Sequence, residues 1–402
     1  MADADWRSRD YADDPRAAYD ALRERCPVAR HATDGTWMLT AHADVRACAL
    51  DAEAFSNRTS SRLQIPNGLD GDDHRKFRAL IDTFFSSARI SALQPRFRAI
   101  AEQLVGSLPR GAPLDVVWQV GAPLAIRFQC AWLGWSTDLE ERLLQWMKDY
   151  RLAMRGADSA GRAHVAADFN AIVVEQLQGR RGRADSHADV TSELLHATVD
   201  DALAPGGRRP LKEAEVVSIL RNWTAGDLGT IAACVGIVAQ RVAADAALQS
   251  SLRAQVDRED LLGLAVDECL RIDDPFLWNA RMTTRTVELG GRAIPSDTKV
   301  ILNWTAANRD PQRFPRPDEF RPEENAPHNL VYGVGPHACP GRQLATLQLC
   351  ETLGALLRSA SAILLADRPP SRASAPAGGF EHVWLVLGQA ERRFRSAGGG
   401  PP

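Results

Sequence analysis

Lysine is almost missing from this chain: Lys76, Lys148, Lys212 and Lys299 are its four, and the other 44 of its 48 basic residues are arginines. An excess of either charge sign is missing as well, since the 48 basic residues face 51 acidic ones and leave a net charge of -3. A general nucleic-acid binder needs a basic surplus to neutralise phosphates, so that class is excluded. Guanidinium is the better fork for carboxylates, and a chain that prefers it suits the burial of anionic groups. Paired cysteines are also lacking. Cys26, Cys48, Cys130, Cys234, Cys269, Cys339 and Cys350 are scattered, which excludes a disulfide framework and reads as reduced thiols in a cytoplasmic protein. Residues 1–10 are polar and acidic and lack the apolar stretch of a secretory signal. The most apolar internal run, 231–239, falls far short of the ~20 residues that cross a bilayer, so no membrane is expected. No repeat of 20–50 residues points to a solenoid or propeller.

What is present is the material for a large core: 45% hydrophobic and 25% charged residues, with a length that by itself suggests two or three domains. The spacing predicts a helix over 15–25 and an extended segment over 36–40. From 44 to about 268 apolar residues recur at three and four, as in Leu93, Phe97, Ile100 and Leu104, which predicts helix almost throughout. Breaks fall at 66–68, 111–113, 179–182 and 206–207. The arginine run at 180–183 reads as a solvated loop. A helix from 211 to about 243 has no proline and is apolar on all sides through 231–238, which places it in the interior. After Arg271 short strands are expected at 286–289, 299–302, 362–365 and 383–387, with a helix from about 342 to 358. Residues 368–377 read as a surface connection and 397–402 as a disordered tail. The fold class is mainly α with minor β, an α+β unit.

The chemistry is concentrated in residues 329–345. Gly333 and Gly335 allow tight turns, and Cys339 follows at the mouth of a helix, where free N–H groups favour a thiolate. His337 and Cys339 would also begin a zinc site, but no second pair stands at ligand spacing. A cysteine–histidine hydrolase would leave the glycine pattern unexplained. The arrangement Tyr332, Gly335, His337, Cys339, Gly341 resembles the heme-ligand loop of the cytochrome P450 family, with tyrosine where that family has phenylalanine. Further segments resemble the same family in the same order: His74 and Arg78, Glu268 and Arg271, Arg281, and 307–315.

The resemblance implies one cytochrome P450 domain over 1–402, with a long central helix over heme and a small β region. It implies heme b (iron protoporphyrin IX) as cofactor and Cys339 as the metal ligand, an anionic sulfur that donates electron density to iron. His74, Arg78, Arg281 and His337 are then the propionate contacts, Tyr332 and Gly341 flank the cofactor, and Glu268–Arg271 is the structural ion pair. On the central helix the family pattern is shifted. Ala225 and Gly226 lie beside the cofactor, but Leu228 and Gly229 occupy the usual acid and threonine positions, and Asp227 and Thr230 are the catalytic candidates from the displaced register. The competing role for Thr230 is a bond back to its own helix. Gly226 and Gly229 mark a kink with room for oxygen. Pro340, next to the cysteine, has no N–H to offer the sulfur, which implies a more electron-rich iron. Glu324 stands where the family has an arginine that completes the ion triad, and Arg321 is the neighbouring cation. By the resemblance, substrate contacts come from the loop 62–68, the helix face around Asn222, Trp223 and Asp227, and the segments 276–279 and 379–384, with Trp223, Trp278 and Trp384 as the candidate wall for an aromatic natural product of secondary metabolism. The partners implied are a small-molecule substrate, dioxygen, and separate ferredoxin and ferredoxin reductase as electron donors, docking near Arg342. The reaction expected is hydroxylation or oxidative coupling. The rival class is a non-catalytic family relative that activates a partner enzyme; the intact Cys339 loop argues against it.

Overall fold

Residues 4–6, 8–155, 159–181 and 188–389 are described by the computed structural model, so the tail expected at 397–402 and residues 182–183 lie outside the described residues. The apolar run at 231–239 sits inside a single helix, Glu213–Ala244. A helix apolar on every face has no side to show to water, and other elements must cover all of it. The helices Ala122–Leu133 and Arg342–Ser359 and the π-turn Val117–Gly121 do so. Ile231, Val235, Ile237 and Val238 are buried, each contributing about 1.5–3 kcal/mol of transfer free energy. Taken whole, this helix is long and apolar enough to cross a membrane, which the nine-residue run alone did not suggest; 61% of its most apolar window is buried inside the protein. Its start is fixed by Glu215, whose carboxylate accepts the Lys212 N–H at 2.7 Å and pairs with Arg209.

Helices Pro15–Arg25 and Arg342–Ser359 fall where the apolar spacing puts them, as do strands Lys299–Asn303, Ile363–Leu365 and Trp384–Leu387. The main sheet has five strands in the order Val28–Arg30, Trp37–Leu39, Lys299–Asn303, Trp278–Thr283, Phe55–Ser56. The fourth of these was not expected. Trp278, Ala280 and Met282 alternate with Asn279, Arg281 and Thr283, a period of two that was legible but masked by the polar members. The pairing sets Arg281 opposite Val300 and thereby fixes where that guanidinium enters the protein. Strands Pro113–Asp115, Thr198–Asp200 and Arg208–Pro210 interrupt the helical half; three residues carry too little period to be seen.

The arginine run at 180–183 is not simply a solvated loop. Arg180 is buried, pairs with Asp189 at 3.0 Å and donates to the Gly134 carbonyl. The Glu268–Arg271 pair is fully buried, with Arg271 Nε and Nη2 on the two carboxylate oxygens at 2.8 and 2.9 Å. Arg271 Nη1 donates to Asn308 C=O and its plane lies over Phe314. The third member is neither Glu324 nor the Arg321 guanidinium, which spend themselves on each other at the surface. Instead the Arg321 backbone N–H and the Asn325 amide donate to Glu268 Oε1 at 2.9 and 2.7 Å. A buried carboxylate needs donors, not a second cation, and a neutral amide meets that need. Asn325→Ala should therefore destabilise the fold by about 1–3 kcal/mol in urea denaturation, the cost of an unsatisfied buried acceptor. Arg321→Ala, which keeps its backbone N–H, should leave the midpoint nearly unchanged.

Candidate functional site

The cysteine loop closes on itself before it meets anything else. The Cys339 N–H donates to Tyr332 C=O at 2.9 Å, and the Ala338 N–H donates to Gly335 C=O at 3.0 Å. Gly335 has a φ of 81°, and a Cβ there would meet the Ala49 carbonyl oxygen at 2.8 Å, so the turn requires glycine. Cys339 thus stands just ahead of helix Arg342–Ser359, with the Gly341 N–H directed to its sulfur. Its surroundings combine two facts: the residue is exposed, yet it lies deep enough that burial raises the thiol pKa. The tyrosine that replaces phenylalanine is accommodated because its hydroxyl meets Thr346 Oγ1 at 3.4 Å. Arg342 lies over the Tyr332 ring and is half exposed, but its charge is paired with Asp267 at 2.7 Å. Cys26 is half-buried and the remaining five cysteines are buried.

Three elements distant in sequence bring nitrogen donors together beside this loop. Helix Gly71–Phe84 supplies His74 and Arg78, strand Trp278–Thr283 supplies Arg281, and the loop supplies His337. Arg78 clamps the loop, with Nη1 on the carbonyls of Pro336 and Ala338 at 3.0 and 2.7 Å and Nε on Asp82. The rings of His74 and His337 lie 4.1 Å apart, and among the described residues the Nε2 of each is buried without a hydrogen-bond partner. Burial and then the neighbouring His74 and Arg281 push His337 down to about 4; burial and Arg78 lower His74. Asp70 approaches His337 to 3.7 Å. Arg281 is buried and donates only to the Ala280 carbonyl among the described residues, and burial lowers its pKa too. Desolvated donors of this kind are costly unless an anion meets them.

On the central helix, Ala225, Gly226, Gly229, Thr230 and Ala233 line a cavity of about 200 Å³. A Cβ at Gly226 or Gly229 would meet nothing within 4 Å, so the glycine pair leaves open space, and the helix runs through it uninterrupted. Thr230 Oγ1 donates to the Gly226 carbonyl at 2.8 Å, the back-bonding expected of a helical threonine. Asp227 turns to the neighbouring helix, where Gln348 Nε2 donates to it at 3.4 Å, and burial lifts its carboxyl to about 7. No hydrogen bond joins Asp227 to Thr230 among the described residues.

The tryptophan wall is placed differently from expectation. Trp223 packs with Phe84, Phe85 and Trp132, Trp278 packs on the cluster around Tyr19, and Trp384 stacks on His382 under Arg368. None of the three lines the cavity. The helix face at 223 is turned into the core, and successive side chains on a strand alternate sides, which sends 278 and 384 elsewhere. The aromatic lining comes from Trp146, Tyr150 and Phe276. Helix Glu140–Arg155 falls in the stretch expected to be helical, but its part in the cavity was not foreseen, although Trp146, Met147, Tyr150 and Met154 recur along one side of it.

The donor cluster suits two carboxylates, the accessible sulfur suits a metal, and the glycine pair leaves room for a flat group; the residues fit heme. A fold and site of this kind define a heme-thiolate oxidoreductase. The family model described as Cytochrome P450 matches residues 252–376. Cyclomarin C epoxidase CymV of Salinispora arenicola is 30% identical over 364 residues, spanning 87% of this chain and 89% of that protein. The 6-deoxyerythronolide B hydroxylase of Saccharopolyspora erythraea is 26% identical, spanning 92% and 95%. The solved structure of CYP109Q5 from Chondromyces apiculatus superposes with a TM-score of 0.84 at 26% identity, covering 97% of this chain and 99% of that one. The chain belongs to the cytochrome P450 family. It is a P450 monooxygenase with heme b as cofactor, and it acts with dioxygen and redox partners on a small molecule.

Because the folded Asp227 carboxyl is raised from 3.8 to about 7, the folded chain retains a proton that the unfolded chain has released between those values. Stability should therefore fall as pH rises through that window. Asp227→Asn removes this loss, so its denaturation midpoint should gain on the parent's between about pH 4 and pH 7 and hold that lead above.

Proposed function

We propose that the Cys339 sulfur would hold the heme iron and that the enzyme hydroxylates or oxidatively couples an aromatic natural-product substrate in the cytoplasm. The whole of 1–402 is read as one such domain. The observation that carries the proposal is Cys339 itself, the exposed thiol on a loop that is closed by its own N–H to Tyr332 C=O and clamped by Arg78. Heme, when bound, supplies an iron that activates dioxygen with electrons delivered from outside. Ferredoxin and ferredoxin reductase are the donors proposed, and seven free cysteines fit a reducing compartment.

The chain's own residues divide the remaining work. His74, His337 and Arg281 would hold the propionates, while Arg78 holds the loop that carries the cysteine. The Gly341 N–H tempers the negative charge of the sulfur, and Pro340 has none to add. Ala225 and Gly226 keep side-chain bulk away from the cavity floor. The Thr230 hydroxyl gives its proton to the Gly226 carbonyl, which leaves its lone pairs to accept a hydrogen bond from a group in the cavity. Asp227, with a carboxyl near 7, holds a proton that it can release at neutral pH, and Gln348 steadies it.

Reduced protein under carbon monoxide should show the shifted band of a thiolate-ligated heme, and Cys339→Ser should abolish it; a normal shifted band in that variant would remove Cys339 from the role. For proton delivery, Thr230→Ala should lower product formation by about tenfold or more while raising peroxide release per electron consumed. Unchanged partition between product and peroxide would leave Thr230 as a structural bond only.

A further inference from the structure

The cavity wall contains a charged pair that the oxygen chemistry does not require. Arg151, from helix Glu140–Arg155, and Glu381, from strand Phe380–His382, both line it. Arg151 Nη1 donates to Glu381 Oε2 at 2.6 Å, and the side chains are only 15% and 10% exposed. Around them the wall is aromatic, thioether or small: Trp146, Tyr150, Phe276, Met147, Met154 and the alanines and glycines of the central helix. Two charges so placed lose hydration that their own attraction recovers only in part. A wall serving wholly apolar substrates would do better without them.

The guanidinium also has capacity left. Among the described residues its hydrogen bond to Glu381 is the one that it makes, and its face rests on the Trp118 ring at 5.0 Å. A guanidinium has five N–H groups in a fork that matches a carboxylate, so an edge remains for a ligand. The Trp146 side of the wall, by contrast, has its indole N–H occupied. The Trp146 indole N–H donates to Val165 C=O at 2.9 Å, and its ring stacks with Tyr150 at 5.2 Å. What this side offers is ring faces.

We infer that Arg151 determines specificity and that the substrate is an aromatic carboxylate, its ring against Trp146 and Tyr150 and its carboxylate on the free edge of the guanidinium. The inference rests on the monooxygenase reading of the same cavity. Glu381 holds the guanidinium in place and offsets part of its charge, which moderates affinity for the anion.

The test uses heme-loaded enzyme and matched probes, N-acetyltryptophan and N-acetyltyrosine against their carboxamides, with binding read by the heme absorption shift and by equilibrium dialysis. At least one acid should bind about tenfold more tightly than its amide, the scale of a charge-assisted hydrogen bond. Arg151→Gln should weaken that acid about tenfold or more and the amide less than about threefold, and Arg151→Lys should recover part of the loss. Glu381→Gln removes the charge from the same link between helix and strand but keeps the cation, and should tighten the acid. A pair that merely joins the two elements predicts the opposite: parallel losses in both variants, for acids and amides alike. That pattern overturns the inference, as does equal affinity for acid and amide, or binding of no probe by protein with a normal carbon monoxide band. Loss of that band in the parent protein would count against the heme-thiolate reading instead, and dialysis would still report on Arg151.

Discussion

Everything at the centre of this protein follows from the cost of taking nitrogen donors out of water. His74, His337 and Arg281 are buried, none of them hydrogen-bonds a carboxylate among the described residues, and burial lowers the pKa of each. Such a cluster makes sense only beside an anion. The heme of a P450 brings two carboxylates, and under the role proposed for them these residues would be the hold on its cofactor. The cysteine loop is tied to this cluster through Arg78, whose bonds to Pro336 and Ala338 couple donor placement to the position of the sulfur.

The second constraint is the central helix, which has two tasks that conflict. Its far half must be apolar on every face to serve as core, whereas the stretch around Gly226 and Gly229 must leave space. The chain resolves this by position: large aliphatic residues from Ile231 onward, and alanine, glycine and one threonine where the cavity lies. Asp227 sits at the junction. It faces the helix that follows Cys339, and its raised carboxyl is a product of that partly apolar boundary.

The buried pair Glu268–Arg271 shows how a departure from the family pattern is absorbed. With Glu324 in place of the usual arginine, the carboxylate of Glu268 is completed by an amide from Asn325 and a backbone N–H. Donor count is preserved although charge is not. The substitution looked like a defect in one dimension because the residue that makes it good stands next to the expected position.

Much of this was legible in the sequence, and what was not has a physical reason. Local chemistry fixed the cysteine loop, because φ near 81° at Gly335 and a thiol at a helix start depend on adjacent residues. Long periodic helices and the later strands were legible for the same cause. The central helix was legible as core, since hydrophobicity on all sides needs no partner to be recognised. Tertiary structure alone decided which side chains reach the cavity. Trp223, Trp278 and Trp384 do not line this cavity, whereas Glu381, from the expected segment 379–384, does, and Trp146, Tyr150 and Arg151 meet it there from a helix far away in the chain. A residue's type is written in the sequence, whereas its direction depends on which face its element buries, and that is settled only when the elements pack.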